Sequence, residues 1–497
     1  PTSGTTSDFA RRSAEAACGS IFTSPAKADT EKQSIWQINI SEYMNRKSLI
    51  ISVAAMMAAV SACGEKEPQK PTIVQPGGGE DTSIKVGEIL PAWQEGEMDI
   101  HFINTTTGES AFVIMPDGTQ LLIDAASSLV KTNSDGNTTN TGIRSRWDPT
   151  ATGTRGSQII SQYLKKCMVW TGNSTIDYVV MSHLHNDHMG DCSSSLPMSA
   201  NDSYRLNGLT EILDDFKVSR IIDRGWPDYD YPFDMLNLAS NKGTIQNYVK
   251  AVKWHIAHSG LKAEIFKAGS ASQIVPKSSK YDVRVQNIAV NGEIWTGNGT
   301  ETKMTFPEKK DIVVANPAKV TGTDKCPAEN ICSAVMRISY GKFDYFAGAD
   351  LQYNNRSNFA WKDAELPCAK AAGMVEVMKA DHHGSAATNQ AAALKVLNPQ
   401  AIIVNSWVDC HPRTSIISEM ESALPKVDIF ITNFWQGDRP SGVDDKVTPK
   451  EAASVKGYDG NIVVRVVDGG NKYYIVTTSD SDGKMTVKKV SGPYTSR

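Results

Sequence analysis

The stretch "SHLHNDHMGD", residues 182–191, places three histidines and two aspartates within ten positions. The chain has 497 residues and only nine histidines in total, so chance is a poor explanation for this cluster. Imidazole and carboxylate groups without thiolates form the ligand set of hydrolytic zinc, manganese or iron centres. The stretch therefore predicts a metal site, which still requires a bridging carboxylate and a further histidine.

The position of the cluster along the chain indicates how its side chains are divided. It follows a short β-branched run, residues 176–182, and is therefore expected in a loop at the end of a strand. In such a loop His183 and His185 can point the same way, while Asp187 and His188 turn to a neighbouring point. This pattern suits two adjacent metal sites rather than one.

Three further apolar runs end in polar residues in the same manner. These residues are Asp350, the pair His382 and His383, and His411. Residues 98–126 have the pattern of a β-hairpin, and helical patterns follow at residues 156–168, 209–218, 245–260 and 389–397. Strands that alternate with helices after an opening hairpin predict an α/β fold.

The motifs "SHLHNDHMGD", "FAGAD" and "ADHHGS" together resemble the metallo-β-lactamase superfamily, most of all the hydrolase domain of ComEC-type competence proteins and related phosphoesterases. The resemblance spans about residues 97–475. It implies a hydrolase domain at residues 84–497 with the αββα sandwich fold, in which two mixed β-sheets are flanked by helices. It also implies a hydroxide ion that bridges two divalent metal ions, with Zn²⁺ as the first expectation and Mn²⁺ as the alternative.

The resemblance assigns roles to individual residues. The implied metal ligands are His183 and His185 for the first ion, Asp187, His188 and His383 for the second, and Asp350 as the bridge between them. Asp187 and His382 are the catalytic candidates, and His382 would face the substrate. Asp124, at the end of the opening hairpin, matches a buried structural acid of the superfamily.

The chain departs from the family pattern at two places. The bridging acid belongs to a "GD" motif in the family, whereas this chain has one extra residue in Gly348-Ala349-Asp350. The superfamily often has another histidine one strand earlier, where this chain has Glu329 and Asn330. The first metal site is therefore expected to be one imidazole short.

Three residues are candidates for contact with the substrate. Asn330 stands where the family places a ligand, and His411 resembles a histidine-proline element of the family, with loop packing as the alternative. Trp226 lies in an aromatic insertion that either walls a pocket or caps the core. His101, His255 and His258 are expected to have packing or surface roles.

The proposed chemistry leaves several functions open. Phosphoester hydrolysis is the first interpretation because "HHGS" resembles the phosphoesterases, and the substrate would be a small-molecule or polymeric ester. A β-lactamase or lactonase is the alternative, since the same hydroxide attacks a carbonyl group. A surface lipoprotein that only binds ligands is an alternative of another class, which the complete HxHxDH pattern disfavours. The formal charge of −4 gives no support to a nucleic-acid partner, and a monomer is expected.

The N-terminal sequence has the features of a bacterial lipoprotein. Residues 44–62 combine a basic start, an apolar stretch too short to span a bilayer and a small-residue exit, which together predict a signal peptide. The sequence "VSAC" resembles a lipobox, which implies lipidation of Cys63, export, and anchoring at the periplasmic face or the cell surface. Residues 1–43 would then be an upstream extension that the mature protein lacks. Residues 63–83, rich in proline, glycine and charge, predict a disordered tether.

Export would place the remaining cysteines in an oxidising compartment. The six that follow Cys63 are Cys167, Cys192, Cys326, Cys332, Cys368 and Cys410. Their even number is compatible with disulfides of unspecified pairing, and reduced buried thiols are the alternative.

Replacement of Cys63 tests the lipoprotein interpretation. Cys63→Ala removes the lipid attachment point, so the protein should leave the membrane fraction or keep an uncut signal peptide. Cell fractionation and mass spectrometry of the N-terminal peptide measure these two outcomes. A Cys63→Ala protein that is still acylated and membrane-bound would contradict the interpretation.

Overall fold

The structure, a computed structural model, describes residues 84–129, 154–320, 324–353, 359–408, 410–436, 446–481 and 483–497. The predicted upstream extension, signal peptide and tether, together with Cys63, lie outside these ranges. Within them, no helix combines the length and the apolar character that are needed to cross a lipid bilayer.

Strands and helices alternate along most of the described chain. The strands are β1 (Met98–Phe102), β2 (Ala111–Ile114), β3 (Gln120–Ile123), β4 (Thr175–Met181), β5 (Lys217–Asp223), β6 (Lys262–Ile265), β7 (Val283–Val290), β8 (Glu293–Trp295), β9 (Thr302–Met304), β10 (Val335–Tyr340), β11 (Phe343–Ala347), β12 (Val377–Lys379), β13 (Ala401–Val404), β14 (Asp428–Ile431), β15 (Val455–Tyr458), β16 (Asn461–Val467), β17 (Lys472–Thr478) and β18 (Val487–Thr495). The α-helices are α1 (Gly156–Thr171), α2 (Asn186–Met189), α3 (Leu209–Asp215), α4 (Met235–Leu238), α5 (Lys242–His258), α6 (Glu365–Ala372), α7 (Ala391–Leu397), α8 (Thr414–Ala423) and α9 (Pro449–Ser454).

The strands form two nine-stranded sheets, and both sheets are mixed. The first has the order β18-β17-β16-β1-β2-β3-β4-β5-β6, antiparallel from β18 to β3 and parallel from β3 to β6. The second has the order β15-β14-β13-β12-β11-β10-β7-β8-β9, parallel from β15 to β11 and antiparallel from β11 to β9.

Three apolar clusters arrange these elements in four layers. The central cluster lies between the sheets and includes Ile100 of β1 together with Ile338 and Tyr345 of the second sheet. A second cluster contains residues of the first sheet and of α1, α3 and α5, and a third contains residues of the second sheet and of α6, α7 and α8. Each sheet thus buries one face against the other sheet and one against helices. The predicted αββα sandwich is confirmed.

Some predicted elements differ in their boundaries. The helix expected at residues 209–218 ends at Asp215, because residues from Lys217 onward form β5, which buries the β-branched Val218, Ile221 and Ile222. The final hairpin gains a third strand, β18, which pairs with β17. Cys167, Cys326, Cys332 and Cys368 are buried thiols, which is the alternative to disulfides, whereas Cys192 is only partly buried.

The carboxyl-terminal ends of several strands lead into the polar motifs. Asp124 follows β3 and the histidine cluster follows β4, both in the first sheet. Asp350 follows β11, His382 and His383 follow β12, and the loop with His411 follows β13, all in the second sheet. Because β3 and β4 are parallel, as are β11, β12 and β13, each sheet delivers its motifs at a single edge.

Candidate metal centre

Three buried side chains form a triangle that fits one metal ion. The Nε2 atoms of His188 and His383 each lie 3.2 Å from Asp350 Oδ1, and they lie 3.3 Å from each other. Ligands on a tetrahedral zinc ion, at 2.0–2.1 Å from the metal, are separated by roughly 3.3 Å. The three atoms therefore have the spacing of one face of a tetrahedral site.

A second group lies on the other side of Asp350. His183 Nε2 is 3.1 Å from a ring nitrogen of His185 and 3.6 Å from Asp350 Oδ2. This Oδ2 atom is buried and has no hydrogen-bond partner. Asp350 thus presents one oxygen to each group of imidazoles, which is the arrangement expected of a bridging carboxylate.

The predicted ligands are placed as follows. His183, His185 and Asp350 offer atoms within 4.8 Å of one another, as do His188, Asp350 and His383 together with Glu109. Asp187 stands at the edge of the second group, with its Oδ2 atom 3.7 Å from His383 Nε2 and 28% of its side chain exposed. The structure therefore brings five of the six predicted ligands into compact groups and leaves Asp187 on the solvent side.

The charges around the second group favour a cation. Burial lowers the pKa of His188, but the carboxylates of Asp350 and Asp124 outweigh it and raise that pKa well above its usual range. The same carboxylates would stabilise a metal ion at this position, which would have to displace that proton when it binds. On the other side, burial lowers the pKa of His183 well below its usual range, so its ring is in the neutral form that ligates metals.

Asp124 holds His188 in place. Its Oδ1 accepts a hydrogen bond from the Ser182 backbone N–H at 2.7 Å. Its Oδ2 lies 2.6 Å from the Ser182 hydroxyl and 2.8 Å from His188 Nδ1. A carboxylate at Nδ1 fixes the proton there and leaves Nε2 free to bind a metal. This geometry agrees with the structural role that the sequence predicts for Asp124.

Sequence reasoning missed two residues of the centre, Glu109 and Lys379. Glu109 Oε2 lies 3.2 Å from His383 Nδ1 and 2.7 Å from Lys379 Nζ. Lys379 Nζ also donates to the Ala349 carbonyl at 2.5 Å and lies 3.4 Å from Asp350 Oδ1. His383 directs Nε2 at Asp350, and its Nδ1 is hydrogen-bonded to the Asn405 carbonyl at 3.1 Å. Glu109 therefore adds negative charge on the outer side of this ring, away from the face that meets Asp350.

The buried Glu109–Lys379 pair is fully ionised. Burial raises the pKa of Glu109, but Lys379 and His383 outweigh it and lower that pKa to about 2. The sequence contained one signal for this pair, a lysine at the end of the apolar run before "DHHGS". A charged residue inside a buried strand requires an opposite charge nearby, although the sequence does not say which one.

The backbone at the centre adopts conformations that are uncommon for residues other than glycine. The φ angles of Asp124, Ala349, His382 and His383 are 58°, 51°, 44° and 57°. Such residues cost about 1–3 kcal/mol each and persist where the surroundings enforce them, often at functional sites. The residue inserted in the "GAD" motif, Ala349, is one of the four.

The predicted substrate-contact residues are only partly near the ligands. Asn330 Nδ2 lies 3.3 Å from both ring nitrogens of His382, and the His411 ring centre lies 6.1 Å from that of His382. Trp226 packs instead against Tyr229, with 6.5 Å between ring centres, beside the helix-side core of the first sheet. Its role in substrate contact stays a prediction.

Comparison with known proteins does not assign a function to the chain. No protein-family model and no curated protein sequence matches the chain. Among solved structures, the crystal structure of a protein named "Putative metal-dependent hydrolase" from Parabacteroides distasonis is 11% identical to this chain, and the match covers 69% of this chain and 97% of that one. The TM-score is 0.29, and a similarity of this degree assigns no function.

A substitution at Asp124 tests whether its contact with His188 supports metal binding. In Asp124→Asn a single oxygen replaces the two that accept from Ser182 and His188, so zinc affinity should fall about 10–100-fold. Competition with a chromogenic chelator measures this affinity. Asp177→Asn is the matched control, because Asp177 lies near the start of β4 and accepts from the Gln120 N–H instead. Equal zinc affinity in both variants would contradict the role of Asp124.

Proposed function

We propose that the protein is a dinuclear metal-dependent hydrolase that acts on phosphoesters. The observation that carries this proposal is the division of Asp350 between two groups of imidazoles, one oxygen towards His183 and the other towards His188 and His383. Two divalent cations held in such groups would lower the pKa of bound water to near 7 and stabilise negative charge on the attacked group.

His382 lies on the solvent side of the ligands and suits hydrogen bonding to a substrate. His382 is 19% exposed, and its Nε2 lies 3.7 Å from Asp350 Oδ2. Burial lowers the pKa of His382 to about 4, so its ring is neutral near pH 7. Gln352 Nε2 donates to Nδ1 of this ring at 3.0 Å, which leaves the proton on Nε2. His382 can therefore donate a hydrogen bond from Nε2 to a substrate oxygen on which negative charge develops.

The choice of phosphoester rests on the resemblance of "ADHHGS" to phosphoesterase motifs. The ligand geometry suits attack on a carbonyl group equally well, so a lactonase or β-lactamase is the second candidate. A non-catalytic binding protein is disfavoured, because binding alone would not require two buried ligand groups that share a carboxylate. We also propose, from the signal sequence, that the mature protein is an exported monomer anchored through Cys63.

Substitution of Asp350 tests the proposed function. Asp350→Asn keeps the side-chain volume but removes the charge between the two groups, so bound metal should decrease and hydrolysis should fall by about 10³-fold or more. The measurements are metal content by mass spectrometry and turnover of bis(p-nitrophenyl) phosphate, p-nitrophenyl phosphate, nitrocefin and an aryl lactone. Circular dichroism reports whether the variant is folded.

The control is Asp282→Asn, which changes an exposed aspartate before β7 and should behave as wild type. Full metal content and full turnover in Asp350→Asn would contradict the dinuclear proposal. Turnover of nitrocefin or the lactone without turnover of either phosphoester would favour the second candidate. No turnover of any substrate by metal-loaded wild type would contradict both.

A further inference from the structure

A cavity of about 280 Å³ opens beside the first group of ligands. His185 and Asn330 line it, and Phe233, Met235 and Pro327 supply apolar surface. One cavity is therefore bounded both by a candidate metal ligand and by apolar side chains. A volume near the lower end of the range for ligand pockets admits one small chemical group rather than a polymer.

The walls of this cavity are attached to the histidine loop from two sides. Asn241, on one wall, donates from Nδ2 to the Leu184 carbonyl at 2.6 Å. Glu329, on the other wall, accepts from the Leu184 N–H at 2.7 Å and from Arg224 Nε at 2.6 Å. Because both walls are bonded to the residue between His183 and His185, the cavity keeps a fixed position relative to those imidazoles.

The lining carries little free charge. Glu329 is neutralised by Arg224, whose side chain is 1% exposed, and Lys319 is an exposed lining residue. Asn330 is 5% exposed, and its Oδ1 is buried without a hydrogen-bond partner. A buried amide oxygen without a partner is a group that a bound ligand or water normally satisfies.

We infer that this cavity binds the substituent next to the scissile bond of the substrate, and that this substituent is a small, uncharged and mainly apolar group such as an aromatic ring. The inference rests on the proposed hydrolase function, for which it names the substrate class. A nucleic-acid strand fits poorly, because its recognition requires several cationic side chains along a groove and Lys319 is the only lysine or arginine in this lining. Phe233 is the residue that determines this specificity.

Binding of small non-hydrolysable probes to the zinc-loaded protein tests the inference. Calorimetry compares phenylphosphonate with methylphosphonate, and benzoate with acetate. Phenylphosphonate should bind at least about tenfold more tightly than methylphosphonate, since its ring buries apolar surface against Phe233. Phe233→Ala should reduce this preference to within about threefold without changing the affinity for methylphosphonate.

Two further variants separate this effect from a change in folding. Phe233→Leu keeps most of the apolar volume and should retain part of the preference for the ring. Leu236→Ala alters a partly buried apolar residue of the same segment that packs on the core and does not line the cavity, so it should keep the full preference.

The outcomes distinguish the inference from the function on which it rests. In one outcome the ring is preferred only in the benzoate and acetate pair, and Phe233→Ala removes that preference. This outcome supports the cavity assignment and contradicts the phosphoester proposal. Equal affinity for ring and methyl probes in both pairs, or a preference that Phe233→Ala leaves unchanged, overturns the cavity assignment. It is also overturned if zinc-loaded protein binds none of the four probes.

Discussion

The burial of the Asp350 carboxylate at the edge where strands of both sheets end is the constraint on which the rest of the site depends. Its side chain has no exposed surface, and an isolated buried carboxylate would cost many kcal/mol unless positive charge compensates it. His183 lies near one oxygen, and His188, His383 and Lys379 lie near the other. These residues come from both sheets, so the compensation requires the complete sandwich.

A second layer of charges lies on the outer side of two of these imidazoles. Asp124 bonds the outer nitrogen of His188, and Glu109 lies against the outer nitrogen of His383. Both acids belong to the N-terminal hairpin region, whereas Lys379, which neutralises Glu109, ends a strand of the second sheet. The Glu109–Lys379 ion pair therefore connects the two sheets directly behind the ligands. The exposed face is left to Asp187 and His382.

The sequence predicts the candidate metal ligands better than the charged residues around them, for a physical reason. Metal ligands must be particular residue types in loops at strand ends, so His183 and Asp350 are recognisable from local patterns. Glu109 acquires its role only when the hairpin packs against β12, a contact between distant parts of the chain that no local pattern encodes. The cavity is likewise not encoded locally, because it is bounded by separate segments. The fold class was predictable because strand and helix periodicities alternate regularly.

Diffraction from crystals of the zinc-loaded protein, with anomalous data at the zinc edge, tests the central claim most directly. The account predicts two anomalous peaks about 3.5–4 Å apart. Each should lie about 2.0–2.2 Å from a different oxygen of Asp350, one beside His183 and the other beside His188 and His383. A single peak, or two peaks that Asp350 does not bridge, would contradict it.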